Sequence, residues 1–161
     1  MARMGEYVAS ATAGDVLVSL GLGSCIGLAL IDRRSGVCGL AHVVLPSGTP
    51  RPGESPGKWA NTAVPALLEE MAALGARSPR MEALLVGGAS MFAAVSGALE
   101  VGSRNEAAVR DELRRRRIPV LSAATGGSRG RTIKVYVDGG RVAVREAGAT
   151  ETTLWPKGRA A

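Results

Sequence analysis

The sequence contains very few residues that build metal sites or disulfide frameworks. Among 161 residues there are two cysteines and one histidine, and only 3% of the residues are aromatic. A tetrahedral zinc site made by the protein alone needs four ligands, so most cysteine and histidine sites of that type are excluded. A secreted scaffold held together by several disulfides is also excluded, because two cysteines can form only one disulfide. Any imidazole chemistry in this chain depends on its single histidine, His42.

Long apolar runs are also missing. No segment reaches about 18 consecutive apolar residues, the length that marks a membrane-spanning helix. The first residues lack a long apolar stretch and include Glu6, so they do not resemble a secretory signal peptide. We therefore expect no insertion into a membrane, a cytoplasmic location and two reduced thiols.

The net charge of +6 is concentrated on the C-terminal side of the chain. Residues 101–161 hold thirteen basic and six acidic residues, including the run Arg114–Arg117. A basic surface is typical of proteins with an acidic partner, such as a nucleic acid, an anionic membrane or an acidic protein. Nucleic-acid-binding surfaces usually interleave basic and aromatic side chains, and aromatic residues are scarce here. We therefore expect no nucleic-acid partner and interpret the arginine run as a solvated helix end.

Length and patterning predict a single domain with mixed secondary structure. Runs rich in valine and leucine, bounded by turn residues, predict seven or eight strands. Apolar spacing predicts a helix from about Asn61 to Leu74, and acids followed by arginines predict a second from about Ser103 to Arg116. We expect an α/β (α+β) fold in which two main helices pack on layers of mixed β-sheet. The predicted domain covers residues 1–146, and residues 147–161 are expected to form a partly flexible tail.

Two apolar runs on either side of Arg34-Ser35 predict a β-hairpin. With an even-numbered loop centred there, the numbers of paired residues sum to 69, which places residue 42 opposite residue 27. Side chains two residues apart on a strand share a face, so Cys25 and His42 become diagonal neighbours on one face. An odd-numbered loop would place them on opposite faces, and the sequence leaves that parity open. The two predicted strands are residues 26–32 and 37–44.

The second cysteine, Cys38, lies far from Cys25 in the same register. It would pair with Ile31, which is six residues along the strand from Cys25. At about 3.3 Å per residue this separation is roughly 20 Å, whereas a disulfide requires Cα atoms within about 7 Å. Cys38 is therefore expected to be a small, buried apolar residue.

Cys25 follows a glycine-rich turn that contains Gly21 and Gly23. Backbone amides in such a turn can converge on an anion, which lowers the pKa of a thiol and can hold an oxyanion. An imidazole partner would favour the thiolate further. From spacing alone, Cys25 can equally be a buried cysteine at a tight turn, and His42 a core histidine bonded to the backbone.

Six blocks of residues, spread over nearly the whole chain, carry a family resemblance. They are Leu20–Asp32, Gly39–Pro46, Gly57–Val64, Gly87–Phe92, Gly102–Asn105 and Thr125–Gly127. In this order they resemble the CheD family of chemoreceptor glutamine deamidases. One block alone would be a weak signal, whereas the ordered combination is highly specific.

The resemblance implies an enzyme that hydrolyses glutamine side-chain amides of methyl-accepting chemotaxis receptors to glutamate and ammonia. It implies a triad in which Cys25 is the nucleophile and His42 the acid and base, with no metal or organic cofactor. Ser19 occupies the position of the family's threonine and keeps its hydroxyl. The family is also linked to hydrolysis of glutamate methyl esters. Residues expected to bind substrate or support the surrounding loops are Gly21, Gly23, Ser24, Gly87, Gly88, Ser90, Met91, Phe92, Arg104 and Asn105.

The resemblance also implies partners. The expected partners are the cytoplasmic helices of the receptors and a CheC-type phosphatase, which acts on phosphorylated CheY. A regulatory binding module for that phosphatase, with weak or no catalysis, is the alternative to an enzyme. The loop at residues 47–57, rich in proline and glycine, is a further candidate for contact with the substrate.

Overall fold

The computed structural model describes residues 1–90 and 98–158 of the chain. Within those residues it contains nine β-strands and two α-helices, joined by loops and three short 3-10 turns. This is the α+β architecture that the sequence predicts. The strands are β1 (Tyr7–Ser10), β2 (Val16–Leu22), β3 (Ile26–Asp32), β4 (Val37–Val43), β5 (Glu82–Gly87), β6 (Val120–Thr125), β7 (Arg131–Tyr136), β8 (Arg141–Glu146) and β9 (Thr152–Trp155), and the helices are α1 (Ala60–Ala73) and α2 (Ala98–Arg115).

The strands form two sheets. One sheet has five strands in the order β1-β4-β3-β5-β6, and the other has four in the order β2-β7-β8-β9. The five-stranded sheet is mixed, because β5 and β6 run parallel while its other neighbours are antiparallel. One cluster of buried residues joins this sheet to both helices, and a second cluster joins it to the four-stranded sheet. The fold therefore consists of three layers with two apolar cores.

Strand β3 lies at the centre of these layers. Its side chains alternate between the two cores: Leu28 and Leu30 pack towards the helices, and Ala29 and Ile31 towards the four-stranded sheet. All seven residues of β3 are buried, which is the reason that its sequence is apolar from Ile26 to Ile31 instead of alternating. A strand covered on both faces holds the residues next to it in fixed positions.

The hairpin of β3 and β4 has the even-numbered loop. Asp32 pairs with Val37 and Gly27 with His42, so the predicted register is confirmed. The four-residue turn is stabilised by Asp32, whose Oδ1 accepts two backbone N–H groups of the turn at 3.1 and 3.3 Å. This register places His42 on the same sheet face as the position two residues before Gly27, which is Cys25.

Two elements differ from the expectations. Helix α2 begins at Ala98, not at about Ser103, and it contains Gly102, a residue that is usually unfavourable inside a helix. A Cβ atom at Gly102 would lie 2.6 Å from the carbonyl oxygen of Gly88, so glycine permits the close approach of α2 to the end of β5. Strand β9 was not expected; it pairs with β8 and adds the buried Leu154 to the core between the sheets. None of the described helices is long and apolar enough to cross a membrane.

Candidate active site

Cys25 lies between β2 and β3, at the end of the five-stranded sheet where β5 also ends. Ile26 pairs with Gly87, and the Gly88 N–H donates to the Cys25 carbonyl at 2.9 Å. Gly87 has a φ of +115°, and a Cβ atom there would collide with the carbonyl oxygen of Cys25. Only glycine allows this approach. The Cys25 residue is 7% exposed and belongs to the core between the two sheets.

His42 on β4 and Ser19 on β2 meet between the two sheets. Ser19 Oγ lies 2.8 Å from His42 Nδ1, and His42 is only 1% exposed. The register of β3 and β4 makes Cys25 and His42 diagonal neighbours across the hairpin. The layer between the sheets therefore contains a thiol, an imidazole and a hydroxyl.

A β-bulge in β2 carries the chain from Ser19 to Cys25. The pairing of β2 with β7 shifts by one residue between Ser19 and Leu22, and Gly21 lies within this irregular stretch. Ser19 is fully buried whereas Leu20 is half exposed, so the bulge begins directly after the serine. Bulges commonly redirect side chains next to active sites. Here the bulge turns the chain out of the four-stranded sheet and towards Cys25.

Burial shifts the protonation of both reactive groups towards their neutral forms. It raises the pKa of the Cys25 thiol, and a hydrogen bond from the residue's own backbone N–H offsets only part of this shift. It lowers the pKa of His42, against the opposing effects of the Ala2 carbonyl and the Glu6 carboxylate. The expectation that the glycine-rich turn lowers the pKa of the thiol is therefore wrong, because desolvation outweighs the backbone dipoles. Both shifts favour a neutral thiol and a neutral imidazole near pH 7.

The glycine-rich turn is held by hydrogen bonds within the protein. The Gly23 N–H donates to the Gly21 carbonyl at 3.0 Å, and the Gly23 carbonyl accepts from Ala89 N–H at 2.8 Å. The expected anion-binding amide at Gly23 is therefore already occupied. Gly23 connects the turn before Cys25 to the segment after β5.

Asn105 on α2 connects the two segments that carry the thiol and the imidazole. Its Nδ2 donates to the Ser24 carbonyl and to the Val44 carbonyl, each at 2.9 Å. These carbonyls lie one residue before Cys25 and two residues after His42. Asn105 is fully buried, and its Oδ1 has no hydrogen-bond partner within the described part of the chain. A single side chain thus spans both halves of the site.

The remaining expected residues lie in different settings. The Ser90 N–H donates to the Gly127 carbonyl at 2.8 Å, and its hydroxyl is buried without a partner among the residues that the structure covers. Arg104 lies on the exposed side of α2. Met91 and Phe92 lie outside the described residues.

Arg131 was not identified from the sequence. Its guanidinium donates to the carbonyls of Gly87 (3.2 Å) and Gly126 (2.7 Å), and its side chain is only 9% exposed. It therefore connects the ends of β5 and β6, next to the turn that receives Cys25. The only signal in the sequence is an arginine close to two consecutive glycines.

The loop at residues 47–57 packs against the beginning of the chain. Ser55 Oγ donates to the Gly5 carbonyl at 2.6 Å. An open cavity of about 460 Å³ lies here and is lined by Met4, Val44 and Ser55, among others. A larger cavity of about 610 Å³ runs along α1 and has neither the cysteine nor the histidine in its lining. The loop therefore borders the side of the molecule on which the strand with the histidine ends.

A thiol, an imidazole and a hydroxyl in one buried layer are the side-chain groups that cysteine-dependent hydrolases use. The fold is that of a small α+β protein, and this set of groups is compatible with hydrolase chemistry. Residues 44–146 match the family model described as CheD chemotactic sensory transduction. The chain belongs to the CheD family.

Similar proteins support this assignment over most of their length. The chain is 40% identical over 148 residues to the chemoreceptor glutamine deamidase CheD of Thermotoga maritima, covering 92% of each chain. It is 43% identical over 125 residues to a probable chemoreceptor glutamine deamidase CheD of Methanococcus vannielii, covering 78% of this chain and 81% of that one. A relative with the same description from Haloarcula marismortui is 40% identical over 139 residues, or 86% of this chain and 80% of that one.

Proposed function

We propose that this protein deamidates glutamine side chains of chemoreceptors, with Cys25 as nucleophile, His42 as general base and acid, and Ser19 as the group that orients the imidazole. Relatives that are 40% and 43% identical are named chemoreceptor glutamine deamidases. The observation that best supports the residue roles is the buried imidazole on the sheet face of Cys25. Its Nδ1 is bonded to Ser19, and its Nε2 has no partner within residues 1–90 and 98–158.

The first half-reaction forms a thioester. The Cys25 thiol gives its proton to His42 Nε2 as the sulfur attacks the carboxamide carbon of the substrate glutamine. The carbonyl oxygen becomes an oxyanion, and we propose the backbone N–H groups of Ser24 and Cys25 as its donors. When the tetrahedral intermediate collapses, the imidazolium protonates the departing nitrogen, and ammonia leaves.

The second half-reaction hydrolyses the thioester. The neutral His42 takes a proton from water, and the resulting hydroxide attacks the acyl carbon. The C–S bond breaks, the imidazolium returns its proton to the Cys25 sulfur, and the product is the glutamate side chain. The net reaction consumes one water and releases one ammonia, and it needs no redox step.

A neutral resting pair suits this sequence of steps. Burial opposes charge on both Cys25 and His42. In this mechanism the thiol therefore loses its proton only as its sulfur attacks the carbonyl carbon of a bound substrate. A thiol that rests in its protonated form is also less open to oxidation and alkylation than an exposed thiolate. Under this proposal, the site combines low reactivity towards solvent with a base that takes the thiol proton as the sulfur attacks a bound amide.

A receptor substrate is consistent with the charge of the protein. Residues 101–161 carry thirteen basic and six acidic residues. Receptor cytoplasmic regions are helical bundles rich in glutamate, so this excess of positive charge favours their association with the enzyme. A CheC-type phosphatase is proposed as a second partner.

The test is an incubation of a receptor cytoplasmic fragment with the protein, followed by peptide mass spectrometry and an ammonia assay. Each deamidated glutamine gains about one dalton, because an NH₂ group is replaced by OH. We expect the native protein to produce this gain, the Cys38→Ala variant to match it, and the Cys25→Ala variant to lose at least about a thousandfold in rate. Substantial ammonia release by Cys25→Ala would refute the nucleophile assignment. The absence of any gain with the native protein would favour the binding-module alternative.

A further inference from the structure

Residues 2–6 connect the two strands that carry Ser19 and His42. The Ala2 N–H donates to the Val18 carbonyl on β2 at 2.9 Å, and the Gly5 N–H donates to the His42 carbonyl on β4, also at 2.9 Å. Ala2 is fully buried in the core between the sheets. We call Ala2–Glu6 the N-terminal strap. It brings a backbone carbonyl, that of Ala2, next to the serine that contacts the imidazole.

The hydrogen bonds of Ser19 determine which nitrogen of His42 carries a proton. Ser19 Oγ lies 2.8 Å from the Ala2 carbonyl oxygen and 2.8 Å from His42 Nδ1. A carbonyl oxygen can only accept, so the single proton of the hydroxyl is donated to Ala2. The Ser19 oxygen is then the acceptor for His42, and Nδ1 must carry the proton. In a neutral imidazole, Nε2 is consequently unprotonated.

We infer that the backbone carbonyl of Ala2 is a positioning group of this active site: through Ser19, it holds His42 in the tautomer whose Nε2 can accept the Cys25 proton. The inference rests on the proposed function, because it concerns the same imidazole. Without the Ala2 carbonyl, the hydroxyl of Ser19 is free to donate to Nδ1. The imidazole proton then lies on Nε2, where it prevents removal of the proton from the thiol.

Further hydrogen bonds hold the strap on the C-terminal side of the Ala2 carbonyl. His42 N–H donates to the Glu6 carbonyl at 2.9 Å, and Arg3 N–H donates to Glu6 Oε2 at 2.9 Å. Ser55 Oγ donates to the Gly5 carbonyl at 2.6 Å, so the loop at residues 47–57 also holds the strap. These bonds keep Ala2 at hydrogen-bond distance from Ser19 without help from a substrate.

The first test measures the tautomer directly in the unmodified protein. His42 is the only histidine of the chain, so ¹⁵N-histidine labelling gives one imidazole in a nitrogen-detected NMR experiment. At a pH where the ring is neutral, we expect a protonated Nδ1 and an unprotonated Nε2. A ring protonated on Nε2, or an equal mixture of the two forms, would overturn the inference. This measurement does not depend on activity, so it is separate from the test of the proposed function.

The second test removes the Ala2 carbonyl. A variant without residues 1–3 begins at Met4 and keeps the rest of the strap. We expect its deamidation rate to fall about tenfold, and its NMR spectrum to lose the preference for protonated Nδ1. The matched control is Arg3→Ala, which alters an exposed side chain but no carbonyl, and it should retain its rate within about twofold.

A double-mutant cycle separates positioning from general destabilisation. If Ala2 acts through Ser19, removal of residues 1–3 should cost less than about twofold when Ser19→Ala is already present. An equal loss in both backgrounds would mean that the strap acts by another route and would contradict the inference. If the shortened chain does not fold, the NMR measurement on the full chain decides alone. If the tautomer is found but Cys25→Ala remains active, the proposed function fails while the tautomer assignment stands.

Discussion

The two ends of the β3–β4 hairpin each hold a buried cysteine and a second buried ionisable residue. At the turn lie Cys38 and Asp32, and at the open end lie Cys25 and His42. All four are buried, so burial does not distinguish the two ends. The two ends differ in whether the nitrogen and oxygen atoms of their buried side chains have hydrogen-bond partners.

At the turn, both carboxylate oxygens of Asp32 accept hydrogen bonds. Asp32 accepts from the Arg80 guanidinium at 2.8 Å, from Arg77 N–H at 2.9 Å and from two N–H groups of the turn. Burial opposes the ionisation of Asp32, but these hydrogen bonds outweigh it and hold the pKa of the carboxyl well below its usual range. Burial raises the pKa of the Cys38 thiol to about 11, so this cysteine stays protonated. The turn end is built for stability.

At the open end, buried polar atoms lack partners. His42 Nε2 and Asn105 Oδ1 have none among the residues that the structure describes. A buried polar atom without a partner costs about 1–3 kcal/mol. The comparison teaches that satisfaction of hydrogen bonds, more than burial or residue type, separates a structural polar residue from one available to a substrate.

The comparison is tested most strongly by asparagine at each polar position. We expect His42→Asn to lower the deamidation rate at least about a thousandfold, because no group remains to move the protons. The melting temperature should fall by only about a few degrees, because the asparagine amide can keep the bond that Nδ1 makes to Ser19 and Nε2 has no partner to lose. Rates from ammonia release and melting curves from circular dichroism check both statements. A melting temperature lowered as far as in Asp32→Asn would contradict the contrast between the two ends.

The substitution Asp32→Asn should have the opposite effect. It removes the charge that Arg80 contacts, and we expect the free energy of unfolding to fall by about 3 kcal/mol. The rate per folded molecule should stay within about twofold of the native protein. Because the pKa of the folded carboxyl is depressed, its stabilisation is present above the unfolded value of about 3.9 and is lost as the pH falls below it.

Denaturant titrations at several pH values check this statement. The native protein should lose stability between about pH 4 and pH 2, and Asp32→Asn should lose less over the same range. An equal acid dependence in both proteins would show that Asp32 does not contribute.

A smaller effect is expected for the residue that spans the open end. Asn105→Ala should reduce kcat about thirtyfold with little change in KM, because Ser24 and Val44 lose their common donor and the reactive groups separate. Alkylation of Cys25 by iodoacetamide, followed against pH, provides an independent measure of the thiol. The control on the same helix is Arg114→Ala, whose side chain is exposed. An equal fall in kcat for both variants would show that any change in α2 lowers the rate, and would contradict a specific role for Asn105.

The smallest effect is expected for the thiol at the turn. Cys38→Ala should lower the free energy of unfolding by about 1 kcal/mol, through the cavity that it leaves, and should not change the deamidation rate. Iodoacetamide at neutral pH should modify Cys25 only slowly while the protein is folded, and Cys38 more slowly still, because Cys25 is 7% exposed and Cys38 only 1%. Loss of activity in Cys38→Ala would show that the two cysteines are coupled.

Elements bounded by clear turn residues were predicted well. The limits predicted for β3, residues 26–32, are those of the structure, because this run is an uninterrupted strand pattern between turns. The start of α2 was missed because Gly102 is there for contact with Gly88, and such a contact leaves no local pattern. Strand β9 was missed because four residues are too few for a periodic signal.

The sequence by itself determined most of the local elements, the family resemblance and the candidate thiol and imidazole, because these depend on neighbouring residues and on the order of motifs. Only the tertiary structure decided the parity of the hairpin loop and the hydrogen-bond partners of the site residues. It also decided the shifts of the Cys25 and His42 pKa values, which favour the neutral forms. Ser19 meets an alanine carbonyl 17 residues away, and Asn105 meets carbonyls 61 and 81 residues away. Contacts over such distances, and the desolvation that accompanies them, exist only once the layers have packed.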